Sequence, residues 1–362
     1  MGMIAAKRLT VLALGNCPNP LHDGGAHREN ATLRHDGTGL VRIWALGLWL
    51  SLDADRPTPH PYLMTQPITQ HLRIFEPHPS ILAFYDGRIP GQRFLPFDNW
   101  VDDGAISLGI ASYAVLSGDQ ALVYDTHVSV PHAEAIKAEL TARGIRHITV
   151  VLSHWHLDHV AGTAAFAGCT VIANAKTLDH LTRRKAAIED GTDHGLPVIC
   201  PLILPDRVFS ERMELTIGAT KVVLIEANIH SDDATVLWLP DARILLAGDT
   251  VEDCVTYVGE PADFAVHLAD LARLAALHPA HVLPNHGDAD MIARGGYPAA
   301  LLTATQSYIG WLQGLQEDPA RAAIPLADVI ASDLAQGTLR YFAPYDAVHA
   351  QNIRRTLALH SL

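Results

Sequence analysis

From residue 64 onward the sequence predicts an α+β domain, and three observations carry that expectation. Short apolar, β-branched runs end in turn residues or in polar groups. Segments with apolar residues at helical spacing lie between several of these runs, so that strand, helix and strand follow one another. The second half then repeats the style of the first, with strands again ending at His or Asp.

In order, residues 81–85 read as a strand closed by Asp86-Gly87, and residues 105–116 as a longer one closed by Ser117-Gly118-Asp119. Residues 121–124 pair with the latter as a hairpin and end in Asp125-Thr126-His127. Residues 131–143 carry Ile136 and Leu140 at helical spacing, with Gly144 as a stop. Residues 147–152 are a buried strand, which completes a βαβ unit with a right-handed crossover and ligands expected at its carboxyl end. A strand at 170–173 and a helix at 176–186 follow, then a loop at 188–197 rich in Asp, Gly and His that is suited to lie over a pocket. Strands at 221–226, 235–239 and 243–247 lead to a helix at 265–277, whose inward face is expected to be Val266, Leu268, Leu271, Leu274 and Leu277. After a short strand at 281–283, residues 298–315 and 326–359 are mostly helical. These helices are expected to pack on a pocket rim or to form the interface of a homo-oligomer.

Residues 1–63 mix Pro, Gly, Asn and His with two brief apolar runs and show no sustained period. They are expected to be a poorly structured extension before a domain at 64–362, with Met64 as an alternative start of the natural protein. Lys7 and Arg8 before residues 9–15 faintly resemble a signal peptide, but the run is short and no clean cleavage site follows. The balance of 26 Lys+Arg against 39 Asp+Glu, net −13, argues against a nucleic-acid partner. The four cysteines are scattered and form no CxxC pair, which points to a reducing, cytoplasmic setting. No apolar run reaches the ~20 residues of a membrane span; the longest, 40–52, contains Arg42.

The chemistry is concentrated in Ser153-His154-Trp155-His156-Leu157-Asp158-His159, with three imidazoles and one carboxylate within six residues at a strand end. His154 and His156 are two apart, so on extended or turning backbone both rings can face one metal, while Asp158 and His159 point elsewhere. Two such pairs with different directions are what a two-metal site needs. His230, Asp249 and His286 each follow a later apolar run. Together these make seven ligands, five His and two Asp, which suit two zinc ions with open positions for water and substrate; iron or manganese would also accept them.

The HxHxDH segment, with Asp125 before it and His230 in His-Ser-Asp-Asp, Asp249 in Ala-Gly-Asp-Thr and His286 in Pro-Asn-His-Gly after it, resembles the metallo-β-lactamase superfamily of hydrolases. The resemblance covers roughly residues 68–295. It implies an αββα sandwich, two mixed sheets face to face with helices outside. It also implies one metal on His154, His156 and His230, a second on Asp158, His159 and His286, and Asp249 bridging them. Asp125 matches the acid that holds a ligand imidazole in its tautomer; taken alone it is equally a strand-end turn residue.

The expected reaction is hydrolysis of an ester, thioester, lactone or amide bond of a small molecule. A hydroxide bridging the metals would attack the carbonyl, with Asp158 orienting the nucleophile or relaying its proton. A β-lactamase ranks second, because the residues after His230 look like those of β-lactam hydrolases, yet Asp249 stands where many of them have Cys. A phosphodiesterase and an iron-dependent persulfide dioxygenase rank lower. His127, Tyr257 and the 188–197 loop are candidates for substrate contact or leaving-group protonation.

Overall fold

A computed structural model of the chain describes residues 68–359, together with the backbone of residues 32–35, 40–45 and 48–53. The chain divides into two units, Met1–Pro67 and Ile68–Leu362. In the first, β1 (Thr32–His35), β2 (Leu40–Ala45) and β3 (Leu48–Asp53) pair antiparallel in that order. Part of the region expected to be poorly structured therefore pairs as strands. The segment resembling a signal peptide and Met64 lie outside the described residues.

The second unit holds two mixed sheets. Seven strands form the first: β4 (Arg73–His78), β5 (Ile81–Asp86), β6 (Ile110–Ser117), β7 (Gln120–Tyr124), β8 (His147–Val151), β9 (Thr170–Asn174) and β10 (Arg207–Phe209). Their spatial order is β10-β9-β8-β7-β6-β5-β4, antiparallel from β4 to β7 and parallel from β7 to β10. The other sheet runs β11 (Arg212–Ile217), β12 (Thr220–Glu226), β13 (Thr235–Leu239), β14 (Ile244–Gly248) and β15 (His281–Pro284), with only the last pair parallel.

The two-residue period of β5 shows how the layers assemble. Ile81, Ala83 and Tyr85 join a core shared with β12, β13 and β14, whereas Leu82 and Phe84 join one that contains helical residues. The latter come from α1 (Val130–Ala142), α2 (Leu157–Val160) and α3 (Ala175–Asp190). Behind the second sheet lie α4 (Phe264–Ala275) and α6 (Ala300–Gln313), with α5 (Ala289–Ala293) between them in sequence packing against β4 and β5, followed by α7 (Leu326–Val329), α8 (Ala331–Ala335) and α9 (Tyr345–Ala358). Helices, sheet, sheet and helices make the four layers of an αββα sandwich. Three buried tyrosines stitch the sheets across the middle, Tyr85 donating to Gly287 O at 2.8 Å, Tyr113 to Pro284 O at 2.5 Å and Tyr124 to Thr235 O at 2.5 Å. Among the described residues no helix is long and apolar enough to cross a membrane.

Several elements differ from the sequence reading. The expected strand at 105–116 begins only at Ile110, because residues 101–106 wind into a wide helical turn broken at Asp103 and Gly104. Gly109, at φ +74°, turns the chain into the strand, and a Cβ there would lie 2.0 Å from the Tyr85 hydroxyl. Strand β11 escaped notice because Arg212, Glu214 and Thr216 face solvent while only alternate residues face the core. In α4 the inward stripe is Phe264, His267, Leu271 and Leu274, and Val266 is 45% exposed. Residues 336–344 are not helical, so the final helical stretch is three separate helices.

Two measurements follow from these packing features. Gly109→Ala should lower unfolding stability by at least about 2 kcal/mol, from positive φ and a clash of the added methyl with the buried Tyr85 hydroxyl; an unchanged urea midpoint would contradict it. Burial pushes the His267 imidazole down to about 4, and neither ring nitrogen has a hydrogen-bond partner among the described residues. Below the unfolded value of ~6.5 only the unfolded chain takes up that proton, so stability is full above ~6.5 and falls as pH drops towards 4. His267→Leu should shrink the difference in urea midpoint between pH 7.5 and pH 4.5, and an undiminished difference would exclude this role.

Candidate metal centre

The site is built at the carboxyl ends of strands from both sheets. After β8, Ser153 is held twice: its N–H donates to Asp125 Oδ1 at 2.6 Å, and its carbonyl accepts from Thr235 N at 2.7 Å. The chain bends at Ser153 and Trp155, is extended at His156 (φ −62°, ψ 149°) and then enters α2. That change of backbone turns His154 and His156 to one side and Asp158 and His159 to another.

His154 Nε2 lies 2.9 Å from His156 Nδ1, which lies 3.0 Å from His230 Nε2. His230 reaches this point from the turn after β12 with φ +69°. On the other side, His159 Nε2 is 3.5 Å from Asp158 Oδ1, and His286 Nε2 is 3.3 Å from Asp158 Oδ2. Asp249 follows β14 and stands between the groups. Its Oδ2 is 3.0 Å from His159 Nε2, 3.5 Å from both His230 Nε2 and His286 Nε2, and 3.7 Å from His154 Nε2. All seven sequence-derived candidates thus converge.

The donor set fits divalent cations. Three imidazole nitrogens crowd together in one group, and two imidazoles with a carboxylate in the other, each set lying within 4.8 Å. Asp249 Oδ1 and His159 Nε2 are buried with no hydrogen-bond partner among the described residues, as atoms meant for a cation would be. Three of the rings are hydrogen-bonded on their far side, and a carboxylate faces a fourth. Asp125 Oδ2 accepts from His159 Nδ1 at 2.9 Å and from Asn285 Nδ2 at 2.6 Å, so His159 presents Nε2 to the site. His286 Nδ1 donates to Gly109 O at 2.8 Å, and Ser153 Oγ is 2.9 Å from His154 Nδ1. Glu252 Oε1 stands 3.5 Å from His230 Nδ1, and its other oxygen accepts from the Tyr345 hydroxyl at 3.0 Å.

Burial, aided by neighbouring imidazoles, holds His154 and His156 well below their ordinary range, which keeps them neutral and able to ligate. For His286 burial works the other way from the outcome: Asp249 and Asp158 outweigh it and bring the ring up to about 9. Burial likewise opposes ionisation of Asp158 and Asp249, but the imidazoles facing them, His159 first, keep both carboxyls well below the usual range. Imidazolium charge thus balances carboxylate charge in the second group, and a cation bound there would displace those protons.

Of the further candidates, Tyr257 and His194 of the 188–197 loop line a cavity of about 280 Å³ over the cluster, together with Trp100, Leu108 and Val348. His127 does not line it. Its ring is buried, stacked 4.5 Å from His132, with Nδ1 accepting from Val128 N at 2.9 Å. Sequence reading missed Glu252 and Asn285. Asn285 was adjacent to a candidate ligand and Glu252 three residues beyond another, the only signals available.

Residues 107–310, just over half of the chain, match a family model described as the metallo-beta-lactamase superfamily. A hydroxyacylglutathione hydrolase of Brucella anthropi is 29% identical over 140 residues, 39% of this chain and 47% of that protein. A linear primary-alkylsulfatase of a Pseudomonas species is 25% identical over 206 residues, 46% of this chain and 39% of its own. The matched part therefore spans less than half the length of either relative. Among solved structures, a metallo-beta-lactamase from Pontibacter korlensis has the same fold, with TM-score 0.50 at 18% identity, covering 66% of this chain and 99% of its own.

Asp125→Asn should turn an amide N–H towards His159 Nδ1 and move the imidazole proton to Nε2, the atom that faces the site. Metal affinity, read by titration calorimetry, should fall about 10–100-fold. Affinity equal to that of the parent protein would show that Asp125 is only a strand-end residue.

Proposed function

The chain belongs to the metallo-beta-lactamase superfamily, and on that premise we propose that it is a hydrolase dependent on two zinc ions that cleaves ester, thioester, lactone or amide bonds of a small molecule. The observation that supports this most is the position of Asp249, whose Oδ2 lies within 3.7 Å of a ring nitrogen from each of four histidines in two groups. In this reading His154, His156 and His230 hold one ion, Asp158, His159 and His286 hold the other, and Asp249 serves both. Zinc suits five imidazoles and two carboxylates, and iron or manganese are the alternatives.

Zinc, when bound, supplies Lewis acidity at the scissile carbonyl and lowers the pKa of water from 15.7 to roughly 7. The protein does the rest. Asp158, kept ionised by His159 and His286, orients the attacking water and can take up its proton. Asp125 and the Gly109 carbonyl hold two imidazoles at fixed orientation and Glu252 faces a third, which limits the reorganisation needed during the reaction. Trp100, Leu108 and Val348 give the cavity an apolar wall that thins bulk water around the reacting bond.

Acyl hydrolysis ranks ahead of β-lactam hydrolysis. Asp249 offers a carboxylate between the groups where many β-lactam hydrolases have Cys, and the likeness to a hydroxyacylglutathione hydrolase points the same way. The likeness to a solved metallo-beta-lactamase speaks for the fold alone.

A panel of esters, thioesters, lactones, β-lactams and phosphodiesters, assayed beside metal quantification, tests the reading. Turnover should be found among the acyl compounds and vanish on chelation. His156→Ala should bind fewer than two metals per chain and lose at least about a hundredfold in kcat/KM, while the exposed His147→Ala keeps both. A protein that turns over acyl compounds equally well without metal, or an His156→Ala variant of full activity, would overturn it.

A further inference from the structure

The cavity over the metal centre is distinctive in its charges. Among the described residues that line it there is no Lys or Arg. Guanidinium groups in contact with residues beside or lining it are committed: Arg184 lies 4.2 Å over the Trp155 ring and bonds Asp193, and Arg88 donates to Leu108 O and Asp253 O. Arg355 lies 5.4 Å over Tyr257 and donates to Gly259 O. Beyond the candidate ligands, two carboxylates line the space, Asp103 and Glu252. Glu252 is buried and already accepts from Tyr345 and Tyr257. Asp103 is exposed, and its carboxylate has neither hydrogen bond nor ion pair among the described residues. It sits where the turn at 101–106 breaks, next to Gly104 at φ +105°. An uncommitted negative charge therefore stands beside an apolar wall of Trp100, Leu108 and Val348.

Metal ions would attract negative charge at the reacting bond itself. The tail of a substrate, beyond that bond, extends towards the cavity walls, where Asp103 is the uncommitted carboxylate, no Lys or Arg among the described residues offsets it, and His194 already faces Asp193. A carboxylate or phosphate on the tail would lose water and gain a like charge.

We infer that this site selects acyl compounds with an uncharged or cationic tail, and that Asp103 is a specificity-determining residue that turns anionic tails away. The inference rests on the acyl-hydrolase reading. It implies that carriers with carboxylate or phosphate groups, such as a glutathione thioester, are poor substrates despite the likeness to a hydroxyacylglutathione hydrolase.

The test uses the metal-loaded full chain with phenyl butyrate and 4-butyryloxybenzoate, which differ by one carboxylate. Hydrolysis breaks the acyl C–O bond, adds the water oxygen to the acyl carbon and releases the phenol with a proton. The neutral ester should have a kcat/KM at least about tenfold higher, mainly through KM, with the ratio shrinking as salt is raised. Asp103→Asn should narrow the ratio to about threefold or less, and Val348→Lys, which places a cation on the wall, should narrow or reverse it. A parent ratio near one or below, or a ratio that Asp103→Asn leaves unchanged, overturns the inference. If neither ester is turned over, the acyl-hydrolase reading fails and binding decides the selectivity separately. Calorimetry with N-phenylbutanamide and 4-butanamidobenzoate should show tighter binding of the neutral amide. Equal binding, tighter binding of the anion or no binding of either overturns it.

Discussion

The carboxylate of Asp125 is the constraint on which the site depends. It directly follows β7, accepts from Ser153 N after β8, from His159 Nδ1 in α2 and from Asn285 Nδ2 after β15. Those strands belong to different sheets, so one buried group fixes the relative position of both halves of the cluster. Its φ of +66° is a backbone conformation that costs energy for a residue with a side chain, and three hydrogen bonds to a charged acceptor offset that cost. The parallel pairing of β7 and β8 sets Tyr124 beside Val151, which brings Asp125 and Ser153 within reach in the first place.

The second sheet contributes on the same principle. Tyr85, Tyr113 and Tyr124 each send a hydroxyl across the interface to a carbonyl at Gly287, Pro284 and Thr235, the segments that carry or flank His286 and His230. A buried hydroxyl without its acceptor costs ~1–3 kcal/mol, so each link resists sliding of one sheet over the other. The geometry of the His and Asp cluster is thus a property of the sandwich, and the loops around it are left to shape the cavity.

How much of this was legible in the letters depends on whether a feature has a local pattern. The βαβ unit was, because Ser129 caps α1, Gly144 follows it at φ +85° and the flanking strands are mostly apolar and end in buried Val-Tyr and Val-Val. The seven converging His and Asp residues were legible as polar groups at strand ends. The start of β6 was not: Ala105, Ile106 and Leu108 continue an apolar run, and only the approach of the Tyr85 hydroxyl to Gly109 shows why the chain must turn there. The supports were hidden for a related reason. Gly109 holds His286 through a backbone carbonyl, which has no sequence signature, and Glu252 meets His230 only in three dimensions. His127 misled in the opposite sense, standing at a strand end beside Asp125 yet turned into the packing against His132.

That a cluster of this composition holds two ions is tested most directly by anomalous scattering from crystals of the zinc-loaded protein. Two peaks are expected at the zinc edge, ~3.5–4 Å apart, one among His154, His156 and His230 and the other among Asp158, His159 and His286, with Asp249 between them. A single peak, no peak, or peaks away from Asp249 would contradict it.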